Sequence, residues 1–571
     1  MRIPGLLIAS VLQAICAVSF GIDAVAHTET TVSWPSGADG ASSSPILSAD
    51  GRYVVFLSDA SNLVTNVVVM QRLPFVNVYR RDLATGAIQL VSITPDGSSG
   101  GDGNSFAVAV STNGQFVLFQ SDASNLVAND TNQTTDIFVR DMASDDTVLA
   151  STRQDGSGPG NDASSSPVMT PDGRFVAFVS AASDLVADDT NGIPDVFLRD
   201  LKTGTTALVS TGAVKTSDRV AASGFPALSD DGRIAAFASN ADGLATGPPI
   251  GPYSRHVYVR DVTAGTTSRI SEQRTTISRD WTGSPALSAD GRFVVYQIVL
   301  DLLSPSLNWH DRQSSLTVLA VSSLAGNLRY DPEPAPPLMT ADGSRLCYER
   351  PEIQNGPIQV YVWDAASKAS TLVSVNLDGT TSFGGASRNS VMNRSGTHVA
   401  FTGTETNLVA NATNGAAQVY VRDLITGTTL LVSSTTEGNA GEADAQSPAL
   451  SEDGSVIAFV AGRDGAYVAG DTNGFPDVFL RNSATGVTQI VSAAATAPAR
   501  LILTISMATD GQVRVTWSVD AGKNYSVQYA LNLQDSWSDL AANPTMANGI
   551  ASLLIAPGPT LQSFYRVVVT P

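Results

Sequence analysis

The chain has 571 residues, 43% of them hydrophobic, with 48 glycines and 28 prolines. That turn-rich make-up suits an all-β protein of several domains or one large repeat array. Only 15% of residues are charged, yet 33 Lys and Arg against 53 Asp and Glu leave a net charge of −20. An acidic surface of this size repels phosphate backbones, which argues against nucleic acid as a partner and favours cations or basic ligands.

Residues 1–26 read as a secretory signal peptide. Arg2 precedes an apolar stretch from Leu6 to Ile22, and Ala24-Val25-Ala26 offers small residues for cleavage before His27. Pro4, Gln13, Gly21 and Asp23 make the stretch a poor membrane-spanning helix, and Cys16 lacks the small preceding residue of a lipoprotein signal. Once Cys16 leaves with the signal, Cys347 stands alone and no internal disulfide forms. Its apolar setting, "RLCYER", marks a buried, inert thiol. No later segment reaches 18 uninterrupted apolar residues, so no integral membrane segment is expected after cleavage. The product is expected to be exported, periplasmic or extracellular.

Residues 27–498 carry a repeat. A Gly-anchored tight turn followed by a β-rich run recurs at Gly51, Gly114, Gly173, Gly232, Gly291, Gly343, Gly396 and Gly454, at intervals of 63, 59, 59, 59, 52, 53 and 58 residues. A fixed period of this size denotes a modular array. The third copy shows the unit: "PVMT", a Pro171-Asp172-Gly173 turn, "RFVAFVS", a long loop, "DVFLRD", a Thr203-Gly204 turn and "TALVS". These are four short strands, joined too closely for helices, so neighbours pair antiparallel. The second strand is almost continuously apolar, as a strand covered on both faces must be. Stacking such units around an axis covers both faces, which predicts a β-propeller of eight blades, with seven as the alternative because copies five and six are eroded. The segment "TETTVSW" before the first blade matches the fourth-strand pattern and is a candidate to close the ring.

The turns "SADGRYVVF", "TPDGRFVAF", "SDDGRIAAF" and "SEDGSVIAF", each followed by a strand such as "VFLRD" and then "TGTT..LVS", resemble TolB-type, WD40-like propeller repeats over roughly residues 41 to 495. That family includes scaffold proteins, domains attached to peptidases and some polysaccharide lyases. The resemblance implies the fold more than any activity. In such a blade the connections after strand two and strand four share one end of the disc. That end gathers every long loop, and the other carries only tight turns. Binding residues concentrate on loops held by a rigid scaffold.

Three of the long loops repeat carboxylate, amide and carboxylate at i, i+2 and i+6: Asp130, Asn132, Asp136; Asp189, Asn191, Asp195; and Asp471, Asn473, Asp477. Hard cations such as Ca²⁺ take oxygen ligands of these types in compact loops, and Gly192 and Gly474 permit a sharp bend. The competing reading is a capped turn without metal. The seventh copy has Ala412 and Gln418 in place of the two acids and is expected to bind nothing.

The Arg-Asp pair ending strand three recurs at Arg81-Asp82, Arg140-Asp141, Arg199-Asp200, Arg260-Asp261 and Arg422-Asp423, too often for a single active site. An inter-blade ion pair or a turn contact is expected there. Trp309, His310, Asp311 and Arg312 form the sole local cluster of catalytic residue types and read as exposed-loop residues. No G-x-S-x-G elbow, H-E-x-x-H helix or phosphate loop appears.

Residues 499–571 alternate with period two in "QVRVTWSV", "YSVQYALNL" and "SFYRVVVTP", which predicts a small β-sandwich resembling fibronectin-type or immunoglobulin-like modules. Trp517 and Trp537 read as sandwich-core residues. The reading as a whole is an exported, non-enzymatic binding or scaffold protein that engages an envelope or extracellular protein, or a glycan, through the long-loop face. The alternative is a carbohydrate-active enzyme, a lyase or glycosidase, working at the propeller channel.

Overall fold

The computed structural model describes residues 38–493 apart from 66–74, 216–220, 247–253, 272–280, 300–305, 323–336, 353–355, 381–383, 413, 463–466, 469–470 and 472, and gives backbone strands at 14–19 and between 504 and 570. The chain divides into two units, one of residues 36–493, the other of 1–35 with 494–571. Among the described residues every regular element is a strand.

The first unit is an eight-bladed β-propeller. Its sheets are four-stranded, and each uses four consecutive strands in chain order. Blade 3 is typical, with strands Ser164–Met169, Phe175–Ser180, Asp195–Asp200 and Thr205–Leu208. The other blades begin at Ser42, Ser105, Ser223, Trp281, Leu338, Ser387 and Ala445. The eroded fifth and sixth copies are therefore complete blades.

The second strand of each blade is its core. All six residues of Ile234–Ser239 are buried, as the near-continuous apolar run requires. Across the pair of second and third strands, seven blades place two aromatic rings directly opposite one another. Phe178 and Phe197 lie 5.9 Å apart and Phe119 and Phe138 5.5 Å apart, both stacked. Such pairs contribute about 0.5–1.5 kcal/mol each beyond area burial. Blade 5 departs from this: Asn308 opposes Tyr296, and Phe293 stacks on Trp309 at 4.7 Å instead. Cys347 is buried in the second strand of blade 6, as expected, and burial pushes its thiol up to about 12.

The turn glycines join blade to blade. All eight have φ between +66° and +80°, a region closed to most side chains. Gly114 of blade 2 lies against the Tyr53 ring of blade 1, and a Cβ there would collide with that ring. The relation repeats around the ring, ending with Gly454 on His398 and Gly51 on Val456 of blade 8.

Among the described residues blade 8 meets blade 1 through apolar packing and hydrogen bonds, with no strand exchanged between them. Val54, Phe56, Tyr79 and Leu90 of blade 1 share a cluster with Ala458, Val460, Val478 and Leu480 of blade 8. Arg81 donates to the Ile490 and Val491 carbonyls at 3.1 and 2.8 Å. Blade 8 supplies its own fourth strand, Thr488–Ile490. The "TETTVSW" segment lies outside the described residues.

In the second unit two four-stranded antiparallel sheets are described as backbone. One joins Thr504–Met507, Val513–Ser518, Ile550–Ile555 and Thr545–Ala547. The other runs Ala14–Ser19, Gln562–Thr570, Asn524–Ala530 and Ser538–Asp539. Part of the expected signal segment is thus an edge strand on Gln562–Thr570. The side chain of Trp517, and Trp537 as a whole, lie outside what is described.

Gly114→Ala is expected to cost about 2–4 kcal/mol, because left-handed strain adds to a clash with Tyr53. Gly156→Ala, at φ +70° with nothing within 4 Å of its Cβ, isolates the strain and should cost only about 1 kcal/mol. Urea unfolding of both variants reads the difference. Equal losses would show that the blade contact adds nothing.

Candidate functional site

Neighbouring first strands pack against one another, so they form the inner ring and line the channel. The turns after them define one end. There the N–H of one turn reaches the carbonyl of the next: Thr112 to Pro171 at 2.8 Å, Asp230 to Ala289 at 2.8 Å, Ala289 to Ala341 at 2.7 Å, Ala341 to Arg394 at 2.8 Å, and Glu452 to Ala49 at 3.0 Å. Asp50 reaches Thr112 at 3.4 Å. Between blades 7 and 8 the Glu452 carboxylate accepts from the Arg394 and Ser395 N–H groups instead. Between blades 3 and 4 the donor position is Pro171, which has no N–H. Within this collar Arg394 of blade 7 meets Asp230 of blade 4 at 2.6 Å, three blades apart. The pair is a bar across the tight-turn end of the channel.

At the opposite end the long loops gather, as the strand order requires. Residues 59–76, 122–135, 181–194, 240–255, 404–417 and 462–476 all connect second to third strands. The channel wall beside them is hydroxyl- and amide-rich. Ser43, Ser44, Ser165, Ser166, Arg388, Asn389, Gln446 and Ser447 are exposed on the first strands, and blade 2 adds the apolar Phe106 and Val108. Ser44, Ser166, Phe225, Asn389 and Ser447 hold positive φ at a bulge. All but Asn389 stand directly before a proline, where αR is disfavoured too. The strained bulge turns two consecutive side chains toward the channel where regular pleating would turn one.

The structure brings each Asp-Asn-Asp set together in its blade. The second acid is not a loop residue: Asp136, Asp195 and Asp477 open the third strands and are fully buried. In blade 3, Asp195 accepts from Ser210 Oγ at 2.5 Å and from Asn191 Nδ2 at 2.7 Å. Blade 8 repeats this with Ser492 at 2.6 Å and Asn473 at 2.7 Å, and blade 2 with Ser151 at 2.7 Å and Asn132 at 2.8 Å. Burial pushes Asp136, Asp195 and Asp477 up to about 6, against these hydrogen bonds, and the nearby first acid adds to the rise. Each asparagine closes a tight turn: Asn191 Oδ1 accepts the Ile193 N–H at 3.0 Å, and Asn191 Nδ2 also reaches the Ala213 carbonyl at 3.1 Å. The amide oxygen is thereby spent on the backbone. In blade 7 the Asn414 and Gln418 amides both donate to the Gly441 carbonyl, and Ala412 is buried.

A serine absent from the candidates above stands two residues past the end of strand four. In "LVS" that serine donates to the residue opening strand three while accepting the next N–H. Ser210 bridges Asp195 and Val196, Ser433 bridges Gln418 and Val419, and Ser92 bridges Asn77 and Val78. Its recurrence in the repeat was the available signal. Glu405 is likewise absent from those candidates. It is almost wholly buried and takes the place of the strand-two serine, which is Gly403 in this blade, accepting from Ser387 at 2.9 Å and Gln359 at 3.1 Å. Burial holds its carboxyl above the usual range.

Two expectations are refined. Three of the five strand-three aspartates pair within their own blade with the arginine that follows the turn glycine, Arg52–Asp82 and Arg174–Asp200 at 2.8 Å and Arg233–Asp261 at 2.7 Å, whereas Asp141 accepts from Gln115 and Asp423 from its own turn. They also cap the following turn, as Asp200 does for the Lys202 N–H at 2.9 Å. The bond to Arg174 holds Asp200 down at about 2. The preceding arginine takes a different partner, as Arg199 does with Thr206 at 3.0 Å. The Trp309–Arg312 cluster is not an exposed loop. Ser306–Asp311 is a strand, His310 bonds Thr317 at 2.9 Å, Asp311 pairs with Arg292 at 2.8 Å, and Trp309 and Arg312 donate to the Gly343 and Gly291 carbonyls. Its groups are committed to the fold.

Among known proteins, no family profile and no curated sequence matches this chain. Solved structures do. Dipeptidyl peptidase 4 of Porphyromonas gingivalis superposes with a TM-score of 0.50 at 14% identity, over 85% of this chain and 65% of that one. The chain thus spans less than two thirds of that enzyme's length. An oligogalacturonate lyase in complex with manganese gives 0.40 at 16% identity, over 70% and 94% of the two chains. TolB from Acinetobacter baumannii gives 0.30 at 14% identity, over 57% and 64%. At these identities the likeness shows the β-propeller fold alone.

Ser210→Ala removes a donor from buried Asp195 and an acceptor from the Val196 N–H. The expected loss is about 2–4 kcal/mol in denaturant unfolding, since each buried polar group left unpaired costs about 1–3 kcal/mol. A loss below about 0.5 kcal/mol would show that water replaces the hydroxyl.

Proposed function

We propose that this is an exported, non-enzymatic binding protein whose ligand seat is the long-loop mouth of the propeller channel. The observation that carries the reading is the asymmetry of the two ends. One is collared by turn-to-turn hydrogen bonds and barred by Arg394–Asp230. The other opens among long loops above a wall of exposed serines, Asn389, Gln446 and Arg388. Hydroxyl and amide groups in a concave wall suit a hydroxylated, polar ligand, and a glycan fits that chemistry best. The C-terminal unit is read as a fibronectin- or immunoglobulin-like module that presents the propeller at the envelope or outside the cell.

Binding of the mature protein to a glycan array tests the seat. Arg388→Ala with Gln446→Ala is expected to weaken a glycan hit about tenfold or more at unchanged melting temperature. Unchanged binding would move the seat elsewhere, and the absence of any hit would redirect the search to an envelope protein. The carbohydrate-active alternative predicts new reducing or unsaturated sugar ends when the hit glycan is incubated with the protein.

Export is tested separately. The intact mass of the protein recovered outside the cytoplasm is expected to begin at His27. The sheet would then lose only its edge strand, because Gln562–Thr570 also pairs with Asn524–Ala530. A mass retaining residues 14–19 would overturn the cleavage reading.

A further inference from the structure

A buried acid opens strand three in blades 2, 3 and 8, whereas blades 1, 4, 5, 6 and 7 place Asn77, His256, Ser306, Gln359 and Gln418 there. Every blade with the acid also has a second one six residues earlier: Asp130, Asp189 and Asp471. In the equally spaced seventh loop both acids are absent together. The chain therefore carries these carboxylates as pairs or not at all.

A lone pair of buried carboxylates is costly, because each resists the charge of the other. Asp189 is only 6% exposed, and its Oδ1 has no hydrogen-bond partner, as is also true of Asp130 Oδ1. Asp195 beside it is fully buried, with both oxygens already accepting. No Lys, Arg or His acts electrostatically on either acid. The loop does not need the acids to fold, since the seventh blade closes the same turn with Ala412 and Gln418. Something positive that the chain does not itself supply would account for keeping both.

We propose that each pair, Asp189 with Asp195, Asp130 with Asp136, and Asp471 with Asp477, holds one divalent cation of the hard, oxygen-preferring class, Ca²⁺ in an exported protein. The asparagine between them positions the pair: its Oδ1 accepts the backbone N–H two residues on, and its Nδ2 donates to the second acid. Among the described residues no cluster of three or more Asp, Glu, His or Cys side chains converges. Two carboxylates leave the remaining coordination to carbonyls and water, so the affinity belongs to the weak range of extracellular sites, about 10⁻⁴–10⁻³ M. These sites stand independently of the ligand seat in the channel mouth.

The test uses the mature full-length chain and the triple variant Asp130→Ala, Asp189→Ala, Asp471→Ala, which copies the alanine that the seventh blade already tolerates. Equilibrium dialysis against radioactive Ca²⁺ at millimolar concentration should find about three ions on the wild type and none on the variant. In parallel, Ca²⁺ should raise the wild-type melting temperature by several degrees over EDTA at matched ionic strength and leave the variant unmoved. In EDTA the variant should melt at or above the wild type, because it lacks the repelling pairs. Wild type that binds no Ca²⁺, or a variant that binds as much as wild type, overturns the proposal. So does a variant that melts well below wild type in EDTA, since the acids would then be stabilising without a cation.

Discussion

The seat of each turn glycine on the neighbouring blade is the constraint on which the rest depends. Gly114 has to be glycine twice over, for its φ of +72° and for the Tyr53 ring where a Cβ would be. The turn can then lie flat on the next sheet, which lets the first strands close into a ring and the second strands bury both faces. Stacked rings such as Phe178 and Phe197 fill the space between sheets at a nearly constant spacing. Because every join uses the same kind of contact, the described residues close the ring without exchanging a strand between its ends. Blade 1 meets blade 8 through Gly51 and Val456 as blade 2 meets blade 1 through Gly114 and Tyr53.

That packing leaves the two ends of the disc unequal. Short turns held by backbone hydrogen bonds cannot open without breaking several at once, so the collar is rigid and the Arg394–Asp230 bar sits on a fixed frame. The bar itself is exposed and adds little stability. Its importance is geometric, since it spans a passage the ring would otherwise leave through. Long loops at the other end are pinned at both roots instead. The strand-three residue is tied by the serine of "LVS", and the strand-one and strand-two ends by serine pairs such as Ser164 and Ser180 at 3.0 Å. The loops are free to vary between two fixed points, which is the arrangement a binding face requires.

The buried acids show how a repeat can be modified without disturbing the blade. Asn77, His256, Gln359 and Gln418 make the same bond to the fourth-strand serine that Asp195 makes to Ser210. The latch therefore accommodates amide, imidazole and carboxylate groups alike, and the choice of a carboxylate in three blades is a departure that the latch does not explain. Substitution at a position held by its surroundings is how a repeat array acquires local chemistry while keeping its frame.

Local pattern carried much of this protein in its sequence. The turn glycines, the apolar second strands and the strand ends at Asp82, Asp200 and Asp261 determined an array of antiparallel four-stranded blades, because such a unit must stack on its neighbours to bury both faces of its second strand. The eroded fifth and sixth copies left seven or eight blades open until the structure showed both complete. The long-loop face followed from connectivity. What sequence spacing does not encode is which groups meet across blades. Arg394 and Asp230 stand 164 positions apart and come together only when the ring closes. The pairing of Arg174 with Asp200 inside a blade, the burial of His310 in a strand and the unpartnered oxygen of Asp189 depend likewise on side-chain direction and neighbours. Short-range periodicity fixes strands and turns, whereas burial and partnership are properties of the closed ring, set by packing between segments far apart in the chain.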